Sequence, residues 1–319
     1  MFVLDSHCDA PSQMMRGRDF CKEDSIGHVD FPRLRAGGVD ASYFALYNDP
    51  KLSPDEATRY TLDMLAHLYD QVDAGEGEVE FAFSSEEVEE NKANGLISIL
   101  ISMENGAPIQ GSLSLLRMFY RMGVTCMTLA HNGDNQICDS NAGSGRWGGL
   151  SPFGREVVRE MNELGMIVDI AHCSDDTVRD CLEASRAPIV STHSCCRALA
   201  SHRRNLPDDL LKAIAEKGGV VQINFYPYFL SDSVDPCPGV KEVVDHIDHA
   251  VEVMGIDHVG IGTDYEGIEI TPEGLEDVSK LPAVWKEMKK RGYSSSDIAK
   301  VAGLNFLRVM KEVEKVARG

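Results

Sequence analysis

Six short stretches carry the side chains that could do chemistry: His7-Cys8-Asp9, Glu104, His131, His172, His193 and Asp264. Imidazoles and carboxylates bind divalent cations and move protons near neutral pH. His7 and Asp9 stand two residues apart, so in a strand both side chains point to one face and can grip a single cation together. The H-x-D pattern alone recurs by chance, and its second copy, His28-Val29-Asp30, reads as a loop feature with no metal role. The first copy gains weight from the further donors Glu104, His172 and His193. Three histidines and two carboxylates exceed what one tetrahedral zinc with an open position takes up. Two metals about 3.5 to 4 Å apart, bridged by a carboxylate, would use them all. Glu104 is the natural bridge, because a carboxylate offers two oxygens and an imidazole only one free nitrogen. Residue type alone does not separate His131 from the ligands.

Something must bring these residues to one place. Short apolar, β-branched runs at Phe2 to Leu4, Val39 to Leu46, Leu96 to Ser102, Thr125 to Leu129, Ile167 to Ile170, Ile189 to Ser191, Val220 to Phe225 and His258 to Ile261 read as strands. Amphipathic segments lie between them: Pro54 to Val72, Pro152 to Leu164, Ser174 to Ala184, Pro207 to Lys217 and Val240 to Met254. Ser53-Pro54, Ser151-Pro152 and Pro207-Asp208-Asp209 are helix-start signals. Strands apolar on both faces, each followed by a helix, predict a parallel α/β sheet covered on both sides. Eight such units in a chain of 319 residues predict a single (β/α)8 TIM-type barrel over residues 1–319, with a long loop after the first strand. Residues 10–38 form that loop and are long enough to make a lid. Active sites of such barrels sit where the strands end, and the six stretches follow the first, third, fourth, fifth, sixth and eighth candidate strands. The doubly wound alternative lacks its G-x-G-x-x-G fingerprint, and Gly143 to Gly149 does not directly follow a strand.

Composition narrows the partners. With 31 Lys plus Arg against 51 Asp plus Glu, the formal charge is −20, which excludes a phosphate backbone as a natural ligand. A content of 43% apolar and 26% charged residues is that of a globular chain with a large core. No run approaches the roughly 20 apolar residues that span a bilayer. The start, Met1-Phe2-Val3-Leu4-Asp5, has no basic segment, so it does not read as a secretory signal. Nine scattered cysteines read as reduced thiols, and the expected location is the cytoplasm. Cys8 and the adjacent Cys195-Cys196 read as packing residues. Asp169 is expected to face away from the metals, and His202, His246, His249 and His258 to lie at the surface.

In their order along the chain these residues resemble the membrane dipeptidase (renal dipeptidase) family, zinc peptidases of the amidohydrolase-type barrels. The resemblance runs through Asp5-Ser6-His7-Cys8-Asp9, Asp30 to Val39, Ser102-Met103-Glu104-Asn105-Gly106, Leu129-Ala130-His131-Asn132 and Gly165 to His172. It continues in Ser191-Thr192-His193-Ser194, Arg203 to Asp209 and Gly260 to Gly267. It implies two Zn2+ per chain, one on His7, Asp9 and Glu104, the other on Glu104, His172 and His193. It further implies His131 beside the scissile carbonyl, Arg204 on the substrate's C-terminal carboxylate, Asp264 as acid/base and Tyr226 near the substrate. Without the resemblance, Arg203 and Arg204 could equally be solvated charges flanking a helix. The implied activity is hydrolysis of small dipeptides, L-Xaa-L-Xaa and L-Xaa-D-Xaa, by attack of a metal-bridging hydroxide. No membrane or nucleic-acid partner is expected, and a homodimer is the family's assembly. Hydrolysis of an N-acyl amino acid or cyclic amide at the same metals is the alternative, with less demand on Arg204. A catalytically silent binding protein ranks below both.

Overall fold

The computed structural model describes residues 1–235 and 237–318. Its strands, in chain order, are β1 (Leu4–Cys8), β2 (Ala41–Tyr47), β3 (Val79–Phe81), β4 (Ile97–Glu104), β5 (Val124–Thr128), β6 (Ile167–Asp169), β7 (Val190–Ser194), β8 (Val220–Ile223) and β9 (Val259–Ile261). They pair in parallel in the order β1-β2-β4-β5-β6-β7-β8-β9. The ring is drawn together where β9 returns to β1. Cys8 bridges Tyr265, the Asp264 N–H donates to the His7 carbonyl at 3.0 Å, and the Asp9 N–H donates to the Tyr265 carbonyl at 2.9 Å. The fold is thus the expected TIM-type barrel.

The barrel strands are those read from the apolar runs, most bounds shifted by one to three residues, with two larger differences. The first strand runs on to Cys8, because Asp5, Ser6 and His7, polar enough to suggest a loop, are fully interior. Ser6 spends its hydroxyl on the Thr192 and Ile261 carbonyls at 2.6 and 3.1 Å, stitching β1 to β7 and β9. The unanticipated β3 pairs only with the start of β4, from Ile97 to Ile99, while β5 pairs with its later half, Ile101 to Glu104.

The helices Pro54–Ala74, Pro152–Leu164, Asp175–Ala184, Asp208–Glu216 and Val240–Met254 match the amphipathic segments. Ser53, Ser151 and Ser174 cap three of them, accepting from the N–H groups of Glu56, Gly154 and Thr177. A long terminal helix, Asn305–Arg318, closes the floor. Its Phe306, Leu307, Val309, Met310 and Val313 join Leu4, Tyr43, Leu100, Cys126, Ile167, Val190 and Val220 from seven strands in one buried cluster.

The long connection after β1 is anchored. It opens with the helix Ala10–Met15, and Arg18 Nη1 then meets Glu266 Oε1 at 2.6 Å, with the His28 and Val29 N–H groups on the same oxygen at 2.7 and 2.8 Å. Asp30 caps the helix Phe31–Ala36 and pairs with Arg33, so the second H-x-D serves structure. The Gly-rich stretch holds no free anion cradle either. Asp134 takes the Ser144 N–H and Asp139 takes those of Trp147 and Gly149.

Candidate metal centre

Two of the candidate ligands, His7 and His193, sit where the strand ladders are irregular. The β1–β2 register shifts between Asp5 and Cys8, and the β7–β8 register shifts between Ser191 and Ser194. Such irregularities re-aim side chains, here His7 and His193. Two further groups stand on strained backbone: His172 at φ +64° and Asp264 at φ +62°, values non-glycine residues rarely adopt. The His172 conformation is held by its carbonyl, which accepts from the Asn141 N–H at 2.8 Å and the Ser140 hydroxyl at 3.1 Å.

Glu104, at the end of β4, is the pivot. Its Oε2 lies 3.7 Å from His7 Nε2, which is also 3.6 Å from Asp9 Oδ2. Its other oxygen, Oε1, lies 3.0 Å from His172 Nε2 and 3.5 Å from His193 Nε2. One carboxylate thereby turns one oxygen toward each of two groups of candidate ligands. The two outer positions, Asp264 and His131, approach the same groups: the ligand atoms of His7, Asp9 and Asp264 lie within 4.8 Å of one another, as do those of Glu104, His131 and His172. Geometry brings His131 as close as a ligand.

Does this pocket fit cations? Among the described residues, both ring nitrogens of His7 and Oδ1 of Asp9 are buried without a hydrogen-bond partner. Leaving such groups unmet costs roughly 1–3 kcal/mol each. Burial alone would depress the His7 imidazole, yet Glu104, Asp9 and Asp264 push its pKa up to about 10. The three carboxylates that favour positive charge on His7 would equally favour a cation placed among them. Burial holds Glu104 well above its ordinary range and His172 and His193 well below theirs, keeping the two imidazoles neutral as metal binding needs. The residues fit divalent cations.

Above the pivot opens a cavity of about 380 Å3, walled by Asp9, Glu104, His131, His172, Arg204 and Asp264. His7 and His193 lie beneath, 1% and 0% exposed. His131 is half tucked against Tyr47 and His172, and burial together with Arg204 pulls its pKa down to about 4. Asp264 accepts from Asn224 Nδ2 at 2.8 Å, and burial raises it to about 6. Arg204 is not the solvated charge it could have been. It is 5% exposed, its Nη2 reaches only the His193 carbonyl at 3.0 Å, its Nε is unpartnered, and it lies over the Phe229 ring. Tyr226 stands at the rim with its hydroxyl 3.3 Å from Glu269.

Several residues go beyond the expectations. Asp169, expected to face away, is fully buried and turned inward, bonded to Thr192. His246, expected at the surface, is buried between the Cys196 N–H and the Leu230 carbonyl, while His202, His249 and His258 are half-buried. Cys8, Cys195 and Cys196 are buried and free. Gly267 approaches the centre so closely that a Cβ there would fall 2.2 Å from Asp9 Oδ2 and 2.7 Å from Asp264 Oδ1. Asn132, against His172 Nδ1 at 3.0 Å, was legible only as the neighbour of His131.

Comparison with known proteins agrees with this architecture. The family model "Membrane dipeptidase (Peptidase family M19)" matches residues 1–319. The dipeptidase aclJ of Aspergillus oryzae is 38% identical over 312 residues, 94% of this chain and 74% of that protein. The probable dipeptidase PvdM of Pseudomonas aeruginosa superposes with a TM-score of 0.93 at 29% identity, covering 99% of this chain and 96% of that one. A metallopeptidase from Rhodobacter sphaeroides, solved with a phosphinate mimic of L-Ala-D-Ala, gives a TM-score of 0.92 at 27% identity, covering 98% and 99%. Among the described residues no helix is long and apolar enough to cross a membrane.

Proposed function

The chain belongs to the membrane dipeptidase family, and from that premise we propose that it is a binuclear zinc dipeptidase cleaving dipeptides with a free C-terminal carboxylate. The observation that carries this reading is the division of Glu104 between two ligand groups beneath a buried arginine that no carboxylate partners among the described residues. His7, Asp9 and Glu104 would hold one zinc, and Glu104, His172 and His193 the other. When bound, such a pair supplies a water acidified toward neutral pH and a Lewis acid for the peptide carbonyl.

The chain's own residues do the rest. Arg204 offers two parallel N–H groups to the substrate carboxylate, a match that lysine lacks. This anchors the C-terminal end and sets the scissile carbonyl over Glu104. His131, neutral at working pH, donates an N–H to the oxygen that gains charge as the carbonyl is attacked. Asp264 is oriented by Asn224 through one oxygen. Its other oxygen receives the proton from the attacking water and returns it to the departing amine, which leaves only when protonated. The cavity of about 380 Å3 suits a substrate of two residues better than a longer peptide. Tyr226 borders the substrate's side-chain space. The dipeptide mimic bound by the Rhodobacter enzyme, with a D-residue second, supports extending the reading to L-Xaa-D-Xaa substrates.

A panel of L-L and L-D dipeptides, set beside N-acetyl amino acids and C-amidated dipeptides, tests the proposal. Free dipeptides should be cleaved best, and about two zinc ions should accompany each chain. Faster turnover of N-acyl amino acids would move the chain to the alternative amidohydrolase reaction, and protein that binds no divalent cation would remove the centre.

A further inference from the structure

The ring nitrogen that a histidine presents to a metal is chosen by what holds the other one. For His193 that holder is a chain of two residues. His193 Nδ1 lies 2.9 Å from Thr192 Oγ1, and the same hydroxyl lies 2.6 Å from Asp169 Oδ2. Asp169 is wholly buried and receives four donors: the Ala171 N–H at 3.0 Å, the Thr192 N–H at 2.9 Å, the Thr192 hydroxyl, and the Thr128 hydroxyl. A carboxylate so used is an acceptor only. Thr192 has one hydroxyl proton, and Asp169 claims it, so toward His193 the oxygen can only accept. The proton between Thr192 and His193 therefore sits on Nδ1. That leaves Nε2 as a lone pair, aimed at Glu104 Oε1 at 3.5 Å and His172 Nε2 at 2.9 Å.

We propose that Asp169 and Thr192 are positioning residues that lock His193 in its Nδ1–H tautomer, presenting Nε2 to a divalent cation. The inference rests on the reading of His193 as a metal ligand. It is not a general habit of this centre. Among the described residues His7 has neither ring nitrogen partnered, and His172 is held by a neutral amide, Asn132 Oδ1, with no carboxylate behind it. Asp169 also has a plain structural duty, since it is the one β6 residue in register with β7. Thr192→Val separates the two. It keeps the Thr192 N–H on Asp169 and the side-chain shape, and deletes only the hydroxyl that joins Asp169 to His193.

The experiment uses the full chain stripped of metal with a chelator. Long-range 1H–15N spectra of histidine-labelled protein read the tautomer, and cobalt(II) titration followed by visible absorption reads affinity. The unaltered protein should show His193 as Nδ1–H. Thr192→Val should lose that preference and bind one of its cobalt ions 10- to 100-fold more weakly, with its circular dichroism unchanged, while Thr192→Ser restores both. A His193 found as Nε2–H in the unaltered protein overturns the proposal, as does wild-type cobalt affinity in Thr192→Val. Should Thr192→Val fail to fold, the tautomer in the unaltered protein decides. If the unaltered protein binds no cobalt, the metal-centre reading falls, and the tautomer measurement still judges the relay by itself.

Discussion

Arg204→Met should lower activity without lowering stability. The guanidinium is buried, makes one good bond, to the His193 carbonyl at 3.0 Å, and has Nε unpartnered. Each charge-assisted hydrogen bond to a substrate carboxylate is worth about 1.5–3 kcal/mol. Two parallel bonds are therefore worth about 3–6 kcal/mol, and at about 1.4 kcal/mol per decade their loss lowers kcat/KM by roughly 10^2 to 10^4. The carboxylate is gripped equally in the bound substrate and in the transition state, so most of the loss should appear in KM. Stability should not fall with it. No ion pair is broken, and replacing a buried charge by an apolar chain of similar length is often neutral or stabilising. The assay compares free-acid and C-amidated forms of one dipeptide in both proteins, alongside thermal unfolding. In the unaltered enzyme the free acid should be preferred by two or more decades; in Arg204→Met the preference should collapse toward unity. A variant that loses activity on both substrates by the same factor, keeping their ratio, would refute the carboxylate clamp.

Asp264→Asn should lower kcat by about 10^2 to 10^4, the usual worth of a positioned acid/base, with metal content unchanged by elemental analysis; retained turnover would remove Asp264 as the proton carrier. Gly267→Ala drives a methyl to within 2.2 Å of Asp9 Oδ2, so equilibrium dialysis should find one zinc bound at least ~10-fold more weakly. His246 tests the fold by pH: burial lowers its pKa from 6.5 to about 4, so the unfolded chain binds its proton first as pH falls. Its contribution is present above about pH 6.5 and fades toward pH 4, by about 3 kcal/mol at ~1.4 kcal/mol per pH unit. The urea-midpoint gap between the unaltered protein and His246→Asn should shrink over that range, and a constant gap would count against the assignment.

How far the chain could be read beforehand follows from what each signal depends on. The barrel was legible because strands covered on both faces must be apolar throughout, and Ile97 to Ile101 or Val220 to Ile223 allow few other readings. Helix starts were legible at Ser53 and Ser151 because each satisfies its own backbone locally. The extension of β1 through Asp5-Ser6-His7 was not. Its burial is compensated by partners 186 to 258 residues away, such as Thr192 for Ser6 and Thr263 for Asp5. Local composition carries no trace of partners so distant. Likewise His246 looks like any helical histidine until the Cys196 N–H and Leu230 carbonyl are seen to enclose it.

The same distinction runs through the candidate site. A ligand is recognisable by type, because few side chains can hold a cation, and seven such residues in six strand-end stretches are hard to explain otherwise. A residue that directs a ligand has no such mark. Asp169 stands at a strand end like the others and was expected to face away, yet β6 keeps regular register with β5 through Asp169 and ends there, so His172 beyond it does not continue the strand's alternation. The β7–β8 register shifts between Ser191 and Ser194, the segment that carries both Thr192 and His193, while β6 holds β7 at only Asp169. Where the ladder slips, period-two reasoning fails, and those slips are also where side chains are re-aimed into the mouth. A buried aspartate two residues before a threonine-histidine pair's strand neighbour, as Asp169 is to Thr192-His193, is the pattern to seek when the ladder cannot be trusted.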